Sequence, residues 1–400
     1  MGYLGNRYLV CAAIENEFGE FNEDAGDFAE LCPLEEGFTW SFGGPQMIDK
    51  PLMRADAANS RALASARRPE LKMTVQARGG GYAAGHAQSA ALCSDLEVLL
   101  SACLGTPRAG TGSGIVSATG PGTLAVSGAA SMRAGEIVWV DPDGAGVTYP
   151  RAIVGMDGAE LHLWPELPET PVTGGVVYAA SNFTPFCGPV PSTLCFEKSS
   201  ALWSAKRLVE RICGMAGNVS LARMNARDLL LLKFELDGAT DESEEVSAPR
   251  VSVSDEGATA WSASPAPISA SGAVLYMGDA APRRHSGFEY APGAEIKRRD
   301  NMAAPSGCAS HFVSAWAEKG VLHLPWSADI KSMYDEGASF PLLWACGDAA
   351  NGMALYLPEA QIMEVERETV QGEEFMKIAF RAIRSDSLPE RCLALSGRRS

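Results

Sequence analysis

One β-rich unit occurs twice along this chain with its parts in the same order, and this constrains the fold more than any single motif. Near 37–78 a strand-like stretch, Gly37-Phe38-Thr39-Trp40-Ser41-Phe42, leads through a long polar loop into Leu71-Lys72-Met73-Thr74-Val75-Gln76-Ala77-Arg78. A second start, Gly287-Phe288-Glu289-Tyr290, runs through a loop to Phe312-Val313-Ser314-Ala315-Trp316. Each is followed by a short helical run, Ser94–Leu104 and Ser327–Tyr334, and then by two strands. These are Asn218–Arg223 and Leu229–Asp237 in the first copy, Met353–Glu366 and Glu373–Arg384 in the second. Ordered self-similarity of this kind is how chains build rings and arrays.

At 400 residues the chain exceeds one typical core, so two or three domains are expected. Its 46% hydrophobic and 20% charged residues are those of a globular protein rather than a disordered one. Lys and Arg number 33 against 49 Asp and Glu, a formal charge of −16, which excludes gripping nucleic acid by bulk attraction. The same charge suits a surface along which DNA must slide, because like charge repels the phosphate backbone. Met1–Val10 has no secretory pattern and no apolar run is long enough to span a bilayer, so a soluble chain made in a cytosol is expected. The ten cysteines form no C-x-x-C pair and read as reduced, mostly buried thiols.

Organisation follows from periodicity and punctuation. Residues 1–36 read as an extended N-terminal arm. Residues 37–105 and 186–238 form a first module, in which Leu71, Met73, Val75 and Ala77 alternate with polar neighbours as in a half-buried strand. In its helix, Leu96, Leu99, Leu100 and Cys103 share one side, with Ser94 as N-cap and Gly105 as terminator. Residues 106–185 read as an inserted small β domain, a barrel or sandwich. Its short strands at Ile137–Val140, Ala152–Val154, Leu161–Trp164 and Val176–Tyr178 are bounded by Gly, Pro or Asp turns. Residues 239–272 read as a linker, 273–384 as a second module and 385–400 as a C-terminal tail.

Chemical motifs are sparse. The histidines His86, His162, His285, His311 and His323 show no metal-ligand spacing, and no G-x-S-x-G nucleophile turn occurs. Gly110–Gly114 lacks the G-K-[ST] ending of a phosphate loop and reads as a flexible linker. Asp141-Pro142-Asp143-Gly144 reads as a tight turn, because no acid stands at the twelfth position of a calcium loop. No catalytic residue, metal site or cofactor is expected.

The segment Leu96-Glu97-Val98-Leu99-Leu100-Ser101-Ala102-Cys103-Leu104-Gly105 resembles the helix that tail tube proteins of long-tailed bacteriophages lay across their barrel. The closing strands Gly217–Leu221 with Leu230–Gly238, and Tyr356–Ile362 with Gly372–Ala382, are similar to the paired strands of that family. The resemblance covers most of 37–238 and 270–384; the insertion departs from the simplest tube module and resembles an added outward domain. It implies a mainly β chain with short helices, with two tandem tail-tube-like β-barrel or sandwich modules plus the inserted domain. It also implies a non-enzymatic virion protein, assembled in the bacterial cytoplasm, whose modules join into rings that stack as a channel for genome delivery. Two fused modules per chain let three chains close a pseudo-sixfold ring.

The implied partners are further copies of the chain, the tape measure, terminator and distal tail proteins, and double-stranded DNA in transit without specific binding; no membrane insertion is implied. Loops Gly44–Pro69 and Ala291–Gly307 resemble those that reach a neighbouring ring, with Met47, Asp49, Arg54, Asp56, Lys297, Arg298, Arg299 and Asp300 as candidate contacts. The arm 1–36 reads as able to reach in the same way. Candidate channel-lining acids are Glu235, Asp237, Glu359, Glu364 and Glu366, tempered by Lys72, Arg78 and Lys233. The alternative is a β-rich carbohydrate-binding or host-adhesion protein of the virion, with Trp139 and Trp164 as stacking surfaces. A hydrolase built from dispersed carboxylates is the further alternative, and no nucleophile, metal set or cofactor loop speaks for it.

Overall fold

The structure is a computed structural model and describes residues 8–22, 28–42, 47–48, 63–64, 68–79, 95–184, 192–201, 207–225, 228–247, 267–279, 281–304, 307–370, 372–384 and 392–396. These residues are mainly β, with two α-helices, a closed six-stranded barrel and extensive antiparallel sheet.

Two runs of strands carry the architecture. In hydrogen-bonding order the first is Thr39–Ser41, Glu70–Gln76, Leu231–Asp237, Arg207–Asn225, Leu194–Ala201 and Tyr8–Ile14. The second is Gly287–Ala291, Lys319–Pro325, Glu373–Ala382, Gly352–Val370, Ser339–Gly347 and Val274–Met277. Ranked by chain position, both runs read second, third, sixth, fifth, fourth, first. A helix follows the third strand in each: Asp95–Leu104 in the first, Ala328–Glu336 in the second.

The fifth strands are the long ones, each of 19 residues, and each bends at a bulge. Ladder register slips opposite Cys213-Gly214 in the first and opposite Pro358-Glu359 in the second. An extra residue there lets one strand leave one sheet and enter another. Gly214 sits at φ +72, where a Cβ would lie 2.5 Å from the Ala239 methyl, so both conformation and space call for glycine. Before its bulge Arg207–Asn225 pairs with Leu194–Ala201 and Thr240–Val246; after it, with Leu231–Asp237 and Gly287–Tyr290. That last pairing joins the two runs into one continuous sheet.

The main core fills the space beneath this sheet. Asp95–Leu104 is buried from Leu96 onward, including Glu97 and Ser101, whose hydroxyl donates to the Val98 carbonyl at 2.6 Å. The counterpart Ala328–Glu336 buries only Ile330 and ends at Gly337, whose left-handed conformation lets its N–H reach the Met333 and Tyr334 carbonyls. Phe288, stacked on Trp344 at 4.7 Å, packs between the second run's strands.

The insertion forms the closed barrel, ordered Ile137–Asp141, Tyr149–Asp157, Glu160–Trp164, Thr123–Val126, Ser113–Gly120, Val176–Ala179. Alternating apolar residues such as Leu124, Val138, Val140, Ile153 and Leu161 fill it. Opposite faces of the same strands, through Ile137, Trp139 and Ala152, pack on Tyr276, Leu343, Tyr356 and Ala394. The Arg151 guanidinium is enclosed at this seam, donating to the carbonyls of Pro150 at 2.6 Å and Glu166 at 3.1 Å and lying 5.3 Å from the Tyr276 ring centre.

Three boundary expectations change. Within the expected N-terminal arm, Tyr8–Ile14 is a strand of the first run, and Val10–Ala13 is fully buried. The expected linker begins as the acidic edge strand Thr240–Val246, held through Arg211, which bonds Glu197, Glu242 and Glu244 at 2.9, 2.9 and 2.7 Å. The expected polar tail contains the buried strand Cys392–Leu395, wedged between Ser181–Phe183 and Met353–Tyr356. In each case a short apolar run (Leu9-Val10-Cys11, Leu393-Ala394-Leu395) or a buried counter-charge outweighs the polar surroundings that dominate the sequence pattern. Removing the Trp344 ring by Trp344→Ala is expected to destabilise the chain by about 3–5 kcal/mol, measured as a lowered urea midpoint with an unchanged slope.

Candidate assembly surface

Edges of the continuous sheet are the chain's most reactive surface, because an unpaired strand offers a row of free N–H and C=O groups. Among the described residues Thr39–Ser41 pairs only with Glu70–Gln76, so its outer edge is open. At the opposite end, Ile362–Val370 pairs only with Glu373–Phe380 and is open on its other side. The aromatic residues Phe38, Trp40 and Phe42 pack inward against the core yet stay half-exposed. Phe38 stacks on Tyr8 at 5.1 Å, and the Lys198 ammonium sits 5.5 Å from the Trp40 ring.

The pairings also place the candidate acids. Glu235 lies opposite Lys72 and Asn218, while Glu364 and Glu366 lie opposite Ala379 and Lys377. Paired residues share a face, so Glu235, Asp237, Glu364 and Glu366 all stand on the solvent side of the sheet. Glu359 belongs to the bulge, half-buried, and accepts a bond from the Ser339 hydroxyl at 2.7 Å. The face is mixed rather than uniformly acidic. Glu235 pairs with Lys72 at 3.7 Å and Glu366 with Lys377 at 2.7 Å, and Lys233 and Arg381 stand between them. Burial raises the Asp237 carboxyl above the usual range, with Glu70 adding to the effect and Arg298 opposing it.

The second candidate inter-ring segment is a β-hairpin, Ala294–Asp300 with Cys308–Trp316. It leans on its own chain. Arg298 donates to the Gly238 carbonyl at 3.3 Å, and the Asn218 amide donates to the Ala294 carbonyl at 2.7 Å. Lys297 pairs with Glu295 at 3.3 Å, Arg299 lies over Phe312 at 5.5 Å, and Asp300 stands opposite Cys308 where the ladder slips. Met302, beyond the strand end, is wholly exposed. In the first copy Met47–Ile48 pairs with Leu63–Ala64; Asp49, Arg54 and Asp56 lie outside the described residues, as does Ser94.

No disulfide joins two cysteines among the described residues, and burial pushes the thiols of Cys195 and Cys32 up to about 12 and Cys346 up to about 11, which suppresses the nucleophilic thiolate. Among the described residues no three His, Cys, Asp or Glu side chains gather at metal-ligand spacing. Trp139 is fully buried, and the half-buried Trp164 packs 6.0 Å from Tyr356. A cavity of about 250 Å³ beside Arg283, Arg284, His285 and Phe288 has its arginines already paired with Asp279, Asp329 and Glu373. No helix of the described residues is long and apolar enough to cross a membrane. No protein-family model matches the sequence, and no curated protein matches it.

Sequence reasoning passed over two titratable groups that brace the hairpin and the first bulge. His311 is fully buried with the Phe18 ring 5.4 Å away, and burial together with Arg298 lowers its pKa to about 4. Glu15 is pushed up to about 7 by burial, although it accepts bonds from the backbone of Gly214 and Gly19 and from the Thr193 hydroxyl. The signs oppose. The unfolded chain protonates His311 first, so this residue's contribution falls as pH drops from about 6.5 to about 4. The folded chain protonates Glu15 first, so its contribution rises as pH drops from about 7 to about 4.5. His311→Gln is therefore expected to flatten the acid loss, and Glu15→Gln to remove the gain, in unfolding free energies measured between pH 4 and pH 7.5.

Proposed function

We propose that this chain is a structural subunit that assembles with copies of itself into closed rings, which stack as the tail tube of a long-tailed bacteriophage and conduct its genome. The observation that carries this reading is the repeated order of strands. Two runs with one strand order are joined edge to edge within the chain, and among the described residues Thr39–Ser41 and Ile362–Val370 each keep one unpaired edge. A repeated unit with complementary open edges closes as a ring or grows as a filament, and closure hides every edge. The two runs are read as tandem tube modules, and the barrel as an added domain.

In this reading the solvent face bearing Glu235, Asp237, Glu364 and Glu366 lines the channel. Acids interleaved with Lys72, Lys233 and Lys377 give duplex DNA no continuous basic track, so phosphates are not held. The virion tail is then the protein's location, with the tape measure, terminator and distal tail proteins as further partners.

Concentrated purified protein is expected to form hollow rings or tubes in negative stain, with a native mass of three chains per ring. A chain that stays monomeric at every concentration would overturn the assignment. Reversing the face with Glu235→Lys, Glu364→Lys and Glu366→Lys together is expected to leave assembly intact. It should convert the particles into binders of duplex DNA whose affinity falls steeply with added salt, read by filter retention across a salt series.

A further inference from the structure

The joint inside the chain specifies the joint between chains. After its bulge, Arg207–Asn225 offers its free side to Gly287–Tyr290, with Leu221 opposite Tyr290 and Met224 opposite Phe288. Ladder register carries each of these residues onto a counterpart in the other run. Phe234 stands between Met73 and Val219, and Ile378 stands between Leu322 and Val365. Stepping along from these anchors, Leu221 corresponds to Arg367 and Met224 to Val370. Trp40 opposite Leu71 corresponds to Tyr290 opposite Gly320, so Phe38 matches Phe288. Gly37 and Gly287 then correspond as well. Each lies tight against the equivalent ladder residue, with a Cβ on Gly37 coming 2.8 Å from Thr74 and one on Gly287 coming 3.1 Å from His323.

The two aromatic pairs differ in one respect. Phe288 and Tyr290 are 1% and 5% exposed because the post-bulge strand lies beside them, whereas Phe38 and Trp40 are half-exposed at an open edge. The Trp40 indole N–H finds no acceptor among the described residues. Met363, on the opposite open strand, is 48% exposed. Each edge lacks the neighbour that its counterpart has.

We infer that Ile362–Val370 of one copy takes Thr39–Ser41 of a second copy as its next antiparallel strand, with Arg367 opposite Trp40. The occupant is the same chain because the cover missing from Phe38 and Trp40 is a post-bulge strand of this topology, and the chain has that strand spare. Thr39 then stands opposite Glu368 and Thr369, as Glu289 stands at the slip between Leu221 and Met224 across the internal joint. The hairpin Met47–Ile48 with Leu63–Ala64 follows Thr39–Ser41 as Ala294–Asp300 with Cys308–Trp316 follows Gly287–Ala291, so its docking surface lies on that second copy.

This inference rests on the self-assembly reading and is tested separately from it. Thr39→Cys protein is mixed with Glu368→Cys or with Thr369→Cys protein, assembled, and oxidised mildly; side chains facing across a ladder lie close enough for a disulfide. The expected result is a covalent dimer on a non-reducing gel in at least one mixture, about tenfold above each variant alone, with the single variants measuring the background from native cysteines. Rings that form with no mixture-specific dimer would overturn the joint and leave the assembly reading standing. Failure of the wild-type chain to assemble would overturn both. As a second readout that needs no substitution, amide exchange at residues 39–41 and 362–370 is expected to slow on assembly, and unchanged exchange in formed rings would also sink the joint.

Discussion

The backbone hydrogen bonding of one strand, Arg207–Asn225, underlies the rest of the structure. Its bulge at Cys213-Gly214 divides it between two sets of partners, and its second half is shared between Leu231–Asp237 and Gly287–Tyr290. Without that sharing the two runs would be separate sheets, each with an exposed flank. With it, an apolar core continues from Asp95–Leu104 to the Phe288 and Trp344 stack.

The two runs share an order but not a surface. The helix Asp95–Leu104 is enclosed because Tyr8–Ile14 and Ser181–Phe183 pack beside it, whereas Ala328–Glu336 has one buried side chain and leaves Tyr334 exposed. The sequences of the two helices follow this difference in burial. The largely apolar Leu96-Glu97-Val98-Leu99-Leu100 faces a closed interior, whereas around the buried Ile330 the residues Asp329, Lys331 and Ser332 face water. Self-similarity in such a chain survives in the ladder pattern and in the glycines that touch it more than in residue identity.

Much of the ladder was legible from alternation. Leu71–Ala77 and Leu230–Asp237 announce half-buried strands, and both helices fall within two residues of the runs expected at Ser94–Leu104 and Ser327–Tyr334. The barrel was legible as evenly spaced short strands. Its inward seat was not, because Trp139 and Arg151 belong to outward faces that become buried only against Tyr276 and Tyr356. The strands Tyr8–Ile14 and Cys392–Leu395 were illegible for a related reason. Each is a short apolar run without a turn signal to frame it, and its stability comes from distant partners rather than from its own pattern. The acids of the sheet face could be nominated from sequence, but only the register showed how evenly lysines divide them.

The barrel has a mechanical consequence. It grows from a neck where Arg108–Ala109 pairs with Ser181–Phe183, which is laddered through Cys392–Leu395 onto Met353–Tyr356 of the second run, and it rests on that same run through Trp139 and Arg151. The barrel is therefore seated on the second run while the chain enters it from the helix Asp95–Leu104 and leaves it toward Leu194–Ala201 of the first, so a load on the barrel passes to both runs.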